Sequence, residues 1–131
     1  MPSYDIGTAA FVAGASKKWV DNVASHHSLP GVGSTGRGVR REFSFEAVVL
    51  LAVIRRLIEE MELPLGRAVG VAAEACGNSD GSVAFPSGAR YSIDREAVAL
   101  DVRQRLLEAA ESVPRIRRGR PPSRSGPPPA R

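Results

Sequence analysis

Cysteine, histidine and long apolar runs are scarce in this 131-residue chain. Its one cysteine, Cys76, permits no internal disulfide, which fits a reducing compartment. One cysteine and two histidines supply too few ligands for a structural zinc site. The longest uncharged apolar run, Ala47 to Ile54, covers eight residues, against the ~20 of a membrane span. Met1-Pro2-Ser3-Tyr4-Asp5 lacks the basic start and apolar core of a signal peptide. The expectation is a cytoplasmic protein without a membrane partner. Acidic residues are missing altogether from residues 115–131, which hold six arginines and five prolines.

What is there is ordinary in amount and uneven in placement. Apolar residues make up 43%, typical of a globular protein, and the length suits one domain with an appendage. The overall charge is +4, but without the tail 12 basic residues face 14 acidic ones. Residues 1–56 carry a net +3 and residues 57–114 a net −5. A basic head, an acidic middle and a basic tail point to a polyanion as partner, nucleic acid first. A soluble protein with a charged, disordered end is the plainer reading of the same numbers.

Periodicity predicts mainly helix. Ile6, Ala9, Ala10 and Ala13 fall at helical spacing, and Gly14 ends that helix. Ser16 is placed to cap a second helix from Lys17 to about Ser25, with Trp19, Val20 and Val23 on its apolar side. Two short helices around Gly14-Ala15-Ser16 have the spacing of a helix-turn-helix. Four glycines in residues 31–38 exclude a helix there, and Val39 to Phe43 reads as a returning strand, so the stretch fits a β-wing. Ser44 caps a helix from Phe45 to about Glu62, whose Val48, Leu51, Ala52, Leu57, Ile58 and Met61 form the largest apolar block. Pro64 opens a helix over 64–76 with Leu65, Ala68, Val69, Ala72, Ala73 and Cys76 in one stripe. Val83 to Phe85 and Ala89 to Ile93 flank Pro86-Ser87-Gly88 as a small hairpin. Asp94 caps a last helix to about Val113, with Val98, Val102, Leu106, Ala109 and Val113 on one side and Leu100 and Leu107 widening it.

Several of these pieces stand in a familiar order. They are Tyr4 to Ala10, Gly14-Ala15-Ser16, Leu29-Pro30, Gly38-Val39-Arg40-Arg41-Glu42-Phe43-Ser44, Ile54-Arg55-Arg56-Leu57 and Leu63-Pro64-Leu65. Together they resemble the winged helix-turn-helix head of MerR-type transcription regulators. The resemblance implies a DNA-binding head over residues 1–76. Where that family carries Thr-Leu-Arg-Tyr-Tyr, this chain has Trp19-Val20-Asp21-Asn22-Val23. A hairpin and a helix stand in place of the long dimerisation helix and effector domain usual after such a head. The tail segment Arg118-Gly119-Arg120-Pro121 is similar to the core of an AT-hook.

The expected fold is therefore mainly α, a winged helix-turn-helix head with a small β-hairpin and a C-terminal helix. Three segments are expected: the head, 1–76; a dimerisation or partner-binding region, 77–114; and a disordered basic tail, 115–131. A short helix can present its first turn to base edges in the major groove. That assigns Ser16, Lys17, Lys18 and Asn22 to the duplex, with Asp21 able to accept from cytosine. Arg37, Arg40 and Arg41 would reach phosphates from the wing, which positions the protein without reading sequence. Arg118, Gly119 and Arg120 would enter a narrow A·T minor groove. Trp19 is read as packing the second helix onto the head.

Other signals are set aside. Gly31-x-Gly33-x-x-Gly36 lacks the preceding strand of a dinucleotide fingerprint, and Arg37 and Gly38 replace the lysine and hydroxyl of a P-loop. Adjacent His26 and His27 point apart on a helix, Cys76 reads as a small apolar residue, and no Ser-His-Asp arrangement has a local signature. No catalytic residue, metal or cofactor is expected. The expected function is a sequence-specific regulator of transcription, nucleoid-associated, binding double-stranded DNA as a homodimer through residues 83–113. The alternatives are a phage-type architectural protein, such as an excisionase or terminase small subunit, and an antitoxin-like module that binds a protein partner.

Overall fold

A computed structural model describes residues 2–33 and 41–112. The described residues form five helices and two small sheets: α1 (Ile6–Ala13), α2 (Lys17–His26), β1 (Val32–Gly33), β2 (Glu42–Phe43), α3 (Phe45–Met61), α4 (Leu65–Gly77), β3 (Ser82–Ala84), β4 (Arg90–Ser92) and α5 (Arg95–Ser112). No helix among them is long and apolar enough to cross a membrane. Residues 34–40, with Arg37 and Arg40 of the expected wing, lie outside the described residues, as does the tail from Val113 with Arg118, Gly119 and Arg120.

Short polar side chains set the helix starts. The carboxylate of Asp5 accepts from the Thr8 amide at 2.8 Å, and the hydroxyl of Ser16 from the Trp19 amide at 3.0 Å. Ser44 does the same for Ala47 and Asp94 for Ala97, each at 3.1 Å. Gly14 closes α1 in the left-handed region at φ 72°, which lets the chain turn at once into α2. The α1–turn–α2 unit is thus fixed by its own local sequence.

α3 is the centre of the molecule. Ala47, Val48, Leu50, Leu51, Ala52, Val53, Ile54 and Leu57 are all buried, so it is covered on nearly every side. α1, α4 and α5 pack around it, and β2 runs into its start. Met61, expected in this block, is 45% exposed: it is the last residue of α3, and Glu59, Glu60 and Glu62 around it are exposed too. On α4 the buried residues are Ala68, Val71, Ala72 and Ala75. The expected stripe is thus turned by about one residue: Ala73 faces out, while Val71 and Ala75 join the core. The helix is apolar nearly all round, so packing against α3 chose the face.

β1 and β2 pair antiparallel, Val32 with Phe43 and Gly33 with Glu42, and so bracket residues 34–40. Tyr4 adds a bridge to Phe43, its amide donating to the Phe43 carbonyl at 2.8 Å and its carbonyl accepting from the Phe43 amide at 2.9 Å. β3 and β4 pair Ser82 with Ser92, Val83 with Tyr91 and Ala84 with Arg90. Pro86-Ser87-Gly88 forms the tip, with Gly88 at φ 95°.

α5 returns across α1 and α3. Val98, Val102 and Ala109 are buried there, and Leu106 is half-buried. Val83, Val98 and Val102 join Ala9, Val20 and Leu51 in one apolar cluster. The hairpin and α5 therefore share the core of the first four helices. Most of the apolar side of α5 is covered from within the chain, and Leu100 and Leu107 remain about two-thirds exposed, at 66% and 65%.

Candidate nucleic-acid interface

α2 has one seated side and one open side. Val20 and Val23 are fully buried, and Trp19 is packed against the core. At about 100° per residue, Lys18, Asp21, Asn22 and Ser25 share the opposite side, with Lys17 and His26 at its margins. All six are exposed. The structure thus places the expected contacts Lys17, Lys18 and Asn22 on one outward face, with Ser16 holding the helix start as its cap.

The charge at the start of α2 runs against the helix. Unsatisfied amides give a helix N-terminus a partial positive charge that favours anions. The first turn contains no acid, and Lys17 and Lys18 add two cations to it. Each such cation costs about 0.3–1 kcal/mol of local helix stability. Neither lysine is in an ion pair among the described residues. The result is a strongly electropositive, exposed helix end.

Arg41 is the one described wing residue of the expected set. It precedes β2 and is folded back onto the open side of α2. Its Nη1 donates to the Asp21 carboxylate and its Nη2 to the Ser25 hydroxyl at 3.1 Å. Asp21 and Ser25 stand one turn apart, so the guanidinium lies along the helix. This ties the base of the β-ribbon to the open side of α2, beyond the turn that carries Lys17 and Lys18. The Arg41–Asp21–Ser25 contact is absent from the expected set, since nothing local in sequence signals it.

Two further contacts shape the margins. The Arg55 guanidinium lies over the Trp19 ring, 5.3 Å from its centroid, and its Nε donates to Glu59 at 2.9 Å. That supports the reading of Trp19 as the residue seating α2 on the head. His26 Nδ1 lies 2.9 Å from the Asn22 carbonyl and, with a carbonyl as partner, is the protonated ring nitrogen. An open cavity of about 420 Å³ between the end of α2 and β1 is lined by Ser25, His26, His27, Leu29, Val32 and Arg41. It lies at the helix C-terminus, whose exposed carbonyls disfavour an anion, so the anion-attracting end of α2 is the lysine end.

Cys76, Asp80 and Tyr91 lie elsewhere, on α4 and the β3–β4 hairpin. Burial pushes the Cys76 thiol up, with Arg95 opposing weakly, so it stays a thiol at neutral pH. Hydrogen bonds from the Ser82 amide and hydroxyl hold the Asp80 carboxyl below its ordinary range. Burial, then the charge of Glu60, push the Tyr91 phenol up. No group of three or more metal-ligating side chains occurs among the described residues. No protein-family model matches the chain, and no curated protein is significantly similar to it.

Proposed function

We propose that the protein binds double-stranded DNA through α1 and α2, with α2 in the major groove and the β1–β2 ribbon against the adjacent backbone, and that it regulates transcription by occupying a preferred site. The observation that carries this reading is the open side of α2. Lys17, Lys18 and Asn22 stand on a helix whose other side is seated in the core, and Arg41 is held against it by Asp21 and Ser25. Two lysines in the first turn cost local helix stability, and a sequence keeps such a mismatch where a partner compensates it. A polyanion does so, and Asn22 adds a group that can pair with adenine. The arginines at 37, 40, 118 and 120 add phosphate or minor-groove contacts in this reading.

We also infer that two copies bind together through α5, so that two α2 helices meet successive half-sites. Leu100 and Leu107, seven residues apart on one exposed line of that helix, support the contact.

The test is selection of preferred duplexes from a random library, followed by affinity measurements with Lys17→Ala plus Lys18→Ala. The expected result is loss of the preference, a drop of at least about tenfold on the selected site, since a good base contact is worth about 1–3 kcal/mol. A double variant with unchanged site preference would refute α2 as the reading helix.

A further inference from the structure

Asp21 is an acid on the side of α2 that the reading above sets against a polyanion. A carboxylate there repels phosphate unless something neutralises it. Among the described residues that group is Arg41, which reaches from the ribbon across a sequence separation of 20 residues. Its fork engages Asp21 with one nitrogen and Ser25 with the other. The pair is only part-buried, at 29% and 53% side-chain exposure, so water and salt weaken it and it can be exchanged for another partner. While the pair is closed, Arg41 is engaged on the protein itself and withheld from any phosphate.

Resting on the duplex-binding reading, we propose that Asp21 is a specificity-determining residue that releases Arg41 only against a matching base edge. Cytosine and adenine both present an amino donor in the major groove, but the N7 acceptor beside adenine's repels a carboxylate, so aspartate is suited to cytosine. Where that donor reaches Asp21, the carboxylate keeps a partner and the guanidinium is free to move to the adjacent phosphate. Without the donor, two arrangements remain. Either Arg41 stays on Asp21 and one phosphate contact is forfeited, or it leaves and strands a carboxylate beside the backbone. Both penalise the wrong sequence, which is discrimination by a repulsive element as well as an attractive one. Ser25, one turn beyond Asp21, holds the second arm of the fork and so keeps Arg41 aligned with the helix before docking.

The experiment compares full-length wild type, Asp21→Asn, Arg41→Gln and the double variant. The probes are a random-sequence duplex of about 20 base pairs, two turns of B-DNA, and the duplex selected for the wild type. Affinities are measured across a salt series, and Glu74→Gln on the exposed side of α4 controls for the change in net charge. Asp21→Asn should bind the random duplex about three- to tenfold tighter, with a log–log salt slope steeper by about 1. The ratio of selected to random affinity should shrink accordingly. In the Arg41→Gln background, Asp21→Asn should no longer steepen the slope, and Glu74→Gln should move neither quantity. If wild type binds duplex but Asp21→Asn changes neither ratio nor slope, the role of Asp21 is overturned and the duplex reading stands. A steeper slope that persists without Arg41 also overturns it, because Asp21 would then act as a bare charge. Wild type that binds neither duplex overturns both.

Discussion

Gly31 shows how one residue fixes the joint between α2 and the centre of the fold. It sits at φ 84°, and a Cβ there would collide with the Ser44 hydroxyl. That hydroxyl is the cap of α3, and the Gly31 carbonyl accepts from the Ser44 amide at 2.8 Å. Gly31→Ala therefore adds left-handed strain of about 1–2 kcal/mol and disturbs a cap worth about 1 kcal/mol. The expected loss is about 2–3 kcal/mol in urea unfolding, whereas a change below about 0.5 kcal/mol, the size of an ordinary surface substitution, would contradict this account. The caps themselves, Ser16, Ser44 and Asp94, are legible in sequence because each acts within three residues on the chain that follows it. The Arg41–Asp21 bridge is not legible, because it depends on the ribbon folding back onto α2. Asp21 alone reads as a possible base contact, and only the fold shows that its carboxylate is already engaged.

Among the elements, α5 separates what periodicity can and cannot tell. A wide apolar side is plain in its sequence, and so is its extent, from Arg95 after the Asp94 cap. Which part of that side belongs to the chain's own core depends on where α1 and α3 lie. Val98, Val102 and Ala109 are taken by them, and Arg105 donates to the Val12 carbonyl at 3.3 Å, tying α5 to the end of α1. Asp101 adds an ion pair to Arg56 of α3. Leu100 and Leu107 are left over, with Arg103 between them lying over the Phe45 ring at 4.8 Å. If α5 pairs two copies, Leu100→Glu plus Leu107→Glu buries charge in the contact and should weaken self-association at least about tenfold. Light scattering should then fall from twice the chain mass to the chain mass, with the helical circular dichroism unchanged. A wild type that already scatters as one chain would remove the dimer and leave the head intact. The rotated face of α4 teaches the same lesson, since a helix with alanine and valine on most sides has no periodicity that singles out one of them.

At the scale of the whole molecule, the charge pattern and the fold agree. Lys17, Lys18 and Arg41 stand on or against the open side of α2, while Arg56 is paired with Asp101 and Arg67 lies over the Phe85 ring. Acids dominate residues 57–114, the segment that carries α4, the second hairpin and α5. In the proposed reading, these three cations attract a polyanion and the acidic segment repels it, which orients encounter before any contact forms. Fold class and element order were readable because caps, glycines and apolar spacing are local signals. The candidate contacts were readable only one by one, because which of them share a face of the folded chain depends on how α2 and the ribbon pack. Titrating the isotope-labelled full chain with a duplex of about 20 base pairs and following backbone amide shifts tests that face directly. The account predicts the first and largest shifts at Lys17, Lys18, Asn22, Ser25 and Arg41, with Leu100 and Leu107 unmoved at constant protein concentration. Shifts centred on α4 or α5 while α2 stays still would contradict it.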